Sequence, residues 1–343
     1  MSDGGANAMR GVELLADRVA ALPSAIASAI SDPLPSAVTL LPGPFAVTGA
    51  GGSEGPARIL SDRLARAGIA SRFVPLSSFV ASSPPVTSDD RLVIVSQGLS
   101  PNARLALAHR HRVARCVVLT ATRPERGGSD KARVLADAAD EGHLVITHGP
   151  SHEGELLVRV LGPALATLVA LRLAAAIVGD RLELPDLPTA ISRAFDRAPA
   201  GELDDDAVTA LVVAGDGGAT SHGLRWKVLE ALDRGDPPVW DVLQFAHGPL
   251  QQYFERSATL ITLERTEAHH AELFERLQSV VPSRHRILRL KATLAEPLAW
   301  FEHDAMLNAI VIRELRRSPR DLVQWPGKGQ DQPLYAIDRP LEE

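Results

Sequence analysis

The groups best placed to do chemistry in this 343-residue chain sit in two glycine-rich turns of similar make-up. The first runs Val47-Thr48-Gly49-Ala50-Gly51-Gly52-Ser53-Glu54-Gly55-Pro56-Ala57 and the second Val212-Val213-Ala214-Gly215-Asp216-Gly217-Gly218-Ala219-Thr220-Ser221. Each follows an apolar, strand-like run and precedes a helical pattern. A ligand would therefore sit where strand ends meet helix starts, held by backbone N–H groups and hydroxyls. A third polar loop, Ser96-Gln97-Gly98-Leu99-Ser100-Pro101, follows the apolar run Leu92-Val93-Ile94-Val95. A fourth, Thr147 to Glu155, gathers two histidines and two carboxylates after a strand and reads either as a metal site or as a ligand-lining loop.

Other reactive residue types are weaker signals. His269 and His270 lie with Glu267 and Glu272 on a predicted exposed helix, where adjacent histidines point in different directions and a chelate is not expected. His109-Arg110-His111 reads as a polar helix end, and Glu302-His303-Asp304 sits on the last long helix. The single cysteine, Cys116, lies in a buried-strand pattern, so a core thiol is expected and a disulfide framework is excluded. There is no cysteine pair to ligate a metal, and no metal or cofactor is expected. Neither glycine turn carries the full Gly-x-Gly-x-x-Gly pattern of a dinucleotide site.

The elements that must position these loops alternate in type. Strands are predicted at 45–48, 71–74, 92–95, 116–119 and 144–146, separated by helices at 57–67, 102–111 and 132–139. The pattern restarts with strands at 210–213, 259–263 and 287–290 and helices at 223–232, 268–279 and 300–315. Continuous apolar strands between helices indicate parallel sheets covered on both faces. Residues 9–30 have helical spacing interrupted by Pro23, after an unstructured lead at 1–8. The boundaries read as an N-terminal helical segment (1–40), one α/β domain (41–181), a linker with Pro185, Pro188, Pro199 and Asp204-Asp205-Asp206 (182–206), a second α/β domain (207–320) and a tail (321–343).

Composition narrows the classes. Hydrophobic residues make up 45% of the chain, enough for sizeable cores, while aromatics are only 4%, so Ala, Leu and Val must do the packing. A net charge of -6 gives no basic footprint for nucleic acid, and the cluster Arg313, Arg316, Arg317 and Arg320 reads as a solvated helix terminus. The apolar stretch 156–179 is broken by Arg159, Pro163 and Arg172 and reads as a buried helix rather than a membrane span. No signal-peptide pattern opens the sequence, so a soluble cytoplasmic protein is expected.

Taken in order, the two glycine turns, the Val95-Ser96-Gln97 strand end and Phe245-Ala246-His247-Gly248-Pro249-Leu250 resemble a tandem sugar isomerase (SIS) domain protein, similar to the isomerase half of glucosamine-6-phosphate synthase. The most specific piece is the last, which resembles the family's Lys-His-Gly-Pro-Leu segment. The resemblance implies two flavodoxin-like α/β subdomains and a homodimer in which the His-Gly-Pro segment reaches a neighbouring subunit's site. It implies a sugar or aminosugar ligand held by Gly51, Ser53, Ser96, Gln97, Ser100 and Glu153. By the same resemblance Glu230 is the base that moves a proton between adjacent carbons, His247 opens the sugar ring, and Lys328 holds the open-chain carbonyl as a Schiff base. It also favours the ligand-lining reading of 147–155 and brings the His303 helix near the site.

The departures from the pattern matter as much. Where phosphosugar members resemble Ser-Gln-Ser-Gly-Glu-Thr, this chain has Gly98 in place of the second serine, no clear threonine, and Pro101, which lacks an N–H donor. Gly52 stands where a threonine is usual, and Glu54 adds negative charge. An unphosphorylated or differently charged sugar derivative is therefore expected. The activity implied is aldose–ketose isomerisation or aminosugar deamination. The alternative is a non-catalytic sugar-binding subunit that regulates or completes a partner enzyme chain. Without a glutamine-hydrolysing domain in this sequence, a complete glutamine-dependent synthase is not expected.

Overall fold

Strand β1 (Phe45–Gly49) is buried along its whole length, as a central strand covered on both sides must be. The computed structural model that shows this describes residues 3–150, 153–204, 207–215 and 217–341. Two compact units emerge. One comprises Ala25–Gly154, Leu161–Leu184 and Pro326–Glu343, and the other Met1–Ser24, Glu155–Val160 and Pro185–Trp325. Helix α1 (Asp3–Ser31) supplies residues to both. It runs through Pro23 without a break, with Val19, Leu22 and Ile26 buried at helical spacing across the proline. It also makes Asp3 to Ala8 helical rather than an unstructured lead; Met1 and Ser2 lie outside the described residues.

The first unit is a five-stranded parallel sheet. Along the chain come β1, α2 (Glu54–Arg66), β2 (Ser71–Phe73), β3 (Arg91–Val95), α3 (Pro101–Ala108), β4 (Arg115–Thr120), α4 (Asp130–Asp140), β5 (Leu144–Thr147) and α5 (Leu161–Val178). The sheet order is β2-β1-β3-β4-β5, the flavodoxin-like order, with its topological switch point between β1 and β3. Alternation sorts the side chains. Val47, Val93, Val95, Val117, Leu119 and Ile146 pack in one core with α2 and α5, while Ala46, Leu92, Ile94, Cys116 and Val118 pack in another with α3 and α4. Burial pushes the Cys116 thiol up to about 12, as for an inert core thiol.

The second unit continues with α6 (Leu187–Asp196), β6 (Val208–Val213), α7 (Gly217–Leu232), β7 (Val239–Asp241), α8 (Val242–Ala246), α9 (Pro249–Gln252), β8 (Ala258–Glu264), α10 (Ala268–Val280), β9 (Arg286–Lys291) and α11 (Ala299–Arg317). Its parallel sheet is ordered β7-β6-β8-β9, so the first four strands of both units follow one scheme and the switch point here lies between β6 and β8. The α/β architecture expected from the alternation is thus present in each unit.

Three expectations change. The span 182–206 contains α6, because Leu187, Ile191 and Ala194 form a buried stripe against α11 beneath the prolines; Asp205 and Asp206 lie outside the described residues. Strand β7 was not anticipated, since three half-buried residues are too short to show a period. The arginines near the end of α11 are not simply solvated: Arg313 donates to the Pro199 and Gly201 carbonyls, Arg317 to Leu203, and Arg320 pairs with Asp233.

Among the described residues two helices, Asn7–Ser31 and α5, are long and apolar enough to cross a membrane by length and composition. In α5 every residue from Leu161 to Leu171 is buried, as in the core helix of an α/β unit. Its Arg172 reaches back to the carbonyls of Ala29 and Asp32, both at 2.6 Å. The tail packs on the first unit: Asn102 Nδ2 donates to the Leu334 and Ile337 carbonyls, Arg104 pairs with Asp338, and short helix α12 (Gln332–Tyr335) lies in this stretch.

Candidate functional site

In the five-stranded unit, all six residues expected to bind ligand fall at the carboxyl edge of the sheet, around its switch point. The β1 turn is tight. A Cβ on Gly49 would stand 2.6 Å from the Ser53 carbonyl oxygen, a clash with backbone, and Gly51 has φ +56. Ser53 precedes α2 but its side chain makes no cap hydrogen bond.

The β3–α3 loop uses its own hydroxyls for closure. The Ser100 N–H donates to Ser96 Oγ at 3.1 Å, and the Ala103 N–H donates to Ser100 Oγ at 3.2 Å as an N-cap. Buried Leu99 adopts φ +44, the left-handed region that a leucine occupies only under constraint. Lys131, which sequence reasoning missed, approaches this loop: its Nζ lies 4.0 Å from where a Gly98 Cβ would stand. Burial, and then Arg104, hold the Lys131 ammonium below its ordinary range.

Glu153 is wholly buried, and its carboxylate is committed to the fold. It accepts from Gln97 Nε2 at 2.9 Å and from the Leu161 and Gly162 N–H groups at 2.8 and 2.6 Å, capping α5. A Cβ on Gly162 would collide with the Gln97 amide, so the glycine permits this junction. Beside Glu153 is His148, buried, with Nδ1 facing the Gly149 carbonyl at 3.3 Å and Nε2 without a hydrogen-bond partner. Burial pulls its pKa down to about 4. Ser151 and His152 of the 147–155 loop lie outside the described residues, and no group of three or more His, Cys, Asp or Glu suited to a metal occurs among the described ones. Lys328 is exposed on the tail segment of this unit.

In the four-stranded unit the central group is Glu230, in the last turn of α7. It is half-buried and accepts no hydrogen bond from another described residue. Burial raises its pKa to about 7, with Arg159 and Lys227 pulling the other way. Lys227, one turn earlier, is buried and held by Asp304 at 2.8 Å and by Asn308 Oδ1 at 2.6 Å, while Asn308 Nδ2 donates to Asp304. This α7–α11 network fixes the face of α7 that carries Glu230. Lys227 and Asn308 were not singled out from sequence, since the groups they meet lie far along the chain, 81 positions apart for this pair.

His247 follows α8, whose first turn is capped by Asp241. Gly248 turns the chain at φ +142 before Pro249, a conformation open to glycine, while Phe245 and Leu250 are buried on either side. The imidazole is left exposed, and no hydrogen bond or ion pair joins it to Glu230 among the described residues. Glu302 and His303 are structural. Glu302 accepts from Thr293, Leu294 and Arg197, and His303 Nε2 meets the Glu264 carbonyl at 2.9 Å, its pKa lowered by burial to about 4. The helix carrying His269 and His270 is only half as expected: His269 is exposed, but His270 is buried against Arg265 at 3.2 Å.

Comparison with solved structures places the architecture among phosphosugar isomerase-like folds. A protein from Clostridium difficile named as a candidate phosphosugar isomerase aligns with a TM-score of 0.69 at 13% identity, over 93% of this chain and 97% of that one. Glucosamine-6-phosphate deaminase from Thermotoga maritima aligns at 0.66 and 14% identity, over 92% and 96%. The C-terminal domain of glucosamine-fructose-6-phosphate aminotransferase from Francisella tularensis aligns at 0.64 and 12%, over 90% and 96%. No family model matches the chain, and no curated protein matches it in sequence. At such identities the likeness is one of fold: two parallel α/β sheets flanked by helices.

Proposed function

We propose that this protein catalyses aldose–ketose isomerisation of a sugar or aminosugar, with deamination as the variant for an amino substrate, and that Glu230 is its base. The observation that carries this reading is the Glu230 carboxyl held near 7 on a helix face fixed by the Lys227–Asp304–Asn308 network. A base poised near neutrality can take a proton from C2 of an open-chain sugar and return it to C1, or the reverse. Lys227, three residues away and already paired with Asp304, acts by positioning the helix face that carries the base. The ring-opening proton shuttle is assigned to His247. Because its imidazole is exposed, it acts most readily on a site in a second copy of the chain, so a homodimer belongs to this proposal. Lys328 on the exposed tail is the proposed carbonyl partner.

Gly51, Ser53, Ser96, Gln97, Ser100 and Glu153 are proposed to form the sugar-binding edge of the five-stranded unit. Within it Ser53, whose side chain makes no cap hydrogen bond, is proposed as the hydroxyl that meets the sugar, because Ser100 Oγ and Glu153 are already engaged. Lys131 supplies a cation beside a loop short of hydroxyls, which suits a negatively charged sugar derivative. We place the protein in the cytoplasm.

The test is exchange of the C2 proton in deuterium oxide, followed by NMR over paired phosphorylated and unphosphorylated hexoses, pentoses and aminosugars. Exchange with a substrate of this set, lost by about 100-fold or more in Glu230→Gln, is expected. Undiminished exchange in that variant removes Glu230 from the role. A second reading, a non-catalytic sugar-binding subunit, draws on the internal engagement of Ser96, Ser100 and Glu153; binding without exchange in the wild type would favour it.

A further inference from the structure

At the amino-terminal ends of β8 and β9, the edge of the sheet opposite its switch-point loops, the four-stranded unit carries a cavity of about 250 Å³. Its lining includes Thr259, Ser283, Arg284, His285, Arg286 and Asp204, none of them assigned a role above. Parallel registry sets Thr259 beside Arg286, and the turn before β9 delivers Ser283 to His285 to the same place.

The donors here lack acceptors. The Ala258 N–H donates to His285 Nδ1 at 3.1 Å, so Nδ1 must carry a lone pair. Burial holds the imidazole below its usual pKa, the ring is neutral, and its one proton sits on Nε2. That N–H is buried with no partner, and the wholly buried Thr259 hydroxyl likewise has none. Unmet buried donors are costly and are rarely left without a water, an ion or a ligand. Two guanidinium groups stand with them. Arg286 is tied to the Glu202 carbonyl and Arg284 lies 5.4 Å over the Phe254 ring. Neither has a carboxylate partner among the described residues. Among the described lining residues the one carboxylate, Asp204, is exposed and has protein contacts of its own, its main-chain carbonyl taking the Arg234 side chain.

We infer that this cavity is a binding site for a small oxyanion, a phosphoryl group either free or at the end of a compact metabolite. An orphan N–H, an orphan hydroxyl and two guanidinium groups together demand an acceptor-rich, negatively charged guest, and Arg pairs suit the planar and tetrahedral oxygens of such groups. The site is independent of the reaction assigned to Glu230.

The experiment is calorimetric titration of the full chain with inorganic phosphate and with glycerol 3-phosphate at fixed ionic strength, chloride serving as control. The His285 Nε2 resonance is followed in parallel by ¹⁵N NMR. One saturable site per chain and a shift of that resonance are expected. Arg284→Gln combined with Arg286→Gln should weaken binding by about tenfold or more, and Thr259→Val by a smaller factor, while Glu230→Gln leaves it unchanged. Tighter binding of the ester would assign a metabolite, equal binding the ion itself. Absence of saturable heat up to about 10 mM, weaker than any affinity worth a built site, overturns the inference. So does affinity indifferent to both the arginine pair and Thr259→Val.

Discussion

Glu230 is a carboxyl whose surroundings oppose its charge, and that opposition is measurable without knowing the substrate. Its folded pKa of about 7 lies above the ordinary 4.5, so the folded protein holds a proton that the unfolded chain has released between those values. Stability from this group is full below pH 4.5 and declines as pH rises to 7, by up to about 3 kcal/mol. Glu230→Gln keeps the shape and removes the charge. The variant should therefore match the wild type in urea denaturation at pH 5 and exceed it at pH 8; equal stability at pH 8 would mean that the carboxyl is not held near neutrality. In the exchange assay the acid limb of the wild-type rate should fall with a midpoint near 7, because only the carboxylate can take the proton. A half-buried carboxyl whose charge costs stability fits a functional position better than a core one.

Elements decide what a second carboxylate, Glu153, does. The resemblance placed it among ligand contacts, but α5 begins with two N–H groups at 2.6 and 2.8 Å from its oxygens. As the N-terminal anchor of a buried helix it stabilises the five-stranded unit directly. Glu153→Ala is expected to cost about 2–3 kcal/mol, since two buried amide donors and the Gln97 amide lose their acceptor, whereas Glu153→Gln retains much of the cap. The readout is chemical denaturation beside ligand affinity. A loss of affinity with no loss of stability would make Glu153 a ligand contact rather than a cap. The elements themselves were largely legible. Of the nine strands among the described residues, eight were anticipated, the central ones β1, β3, β4, β6 and β8 from continuous apolar runs, because a strand covered on both faces has little polar to disguise it. Strand β7, Val239–Asp241, has no such run, and α6 was hidden behind Pro185 and Pro188, one of which sits in its first turn, where a helix tolerates it.

For the whole molecule, buried histidines set the response to acid. His148 in one unit and His303 in the other have pKa values lowered from 6.5 to about 4. Each contributes stability that is present above 6.5 and lost as pH falls toward 4, about 3 kcal/mol apiece at most. His109, His143 and His285 are shifted the same way. Between pH 4.5 and 6.5 these outweigh the opposite contribution of Glu230. Unfolding should therefore take up protons in that window, and denaturation midpoints should fall from pH 7 to pH 5. Midpoints that rise on acidification would contradict the buried, neutral state of these rings.

Local pattern in the chain was enough for the α/β class and the glycine turns, because strand burial, helical spacing and φ-demanding glycines are properties of short segments. It also marked Gly51, Ser53, Ser96, Gln97, Ser100 and Glu153 as neighbours of strand ends. Which of these groups are free depended on the folded arrangement alone. Ser96, Ser100 and Glu153 are engaged by amides of their own loops and helix, Lys131 comes to Gly98 from another crossover, and Lys227 meets Asp304 and Asn308 across two helices. Burial and electrostatic partnership arise from contacts between distant positions, and those fix whether a carboxylate is a cap, a counter-ion or a base.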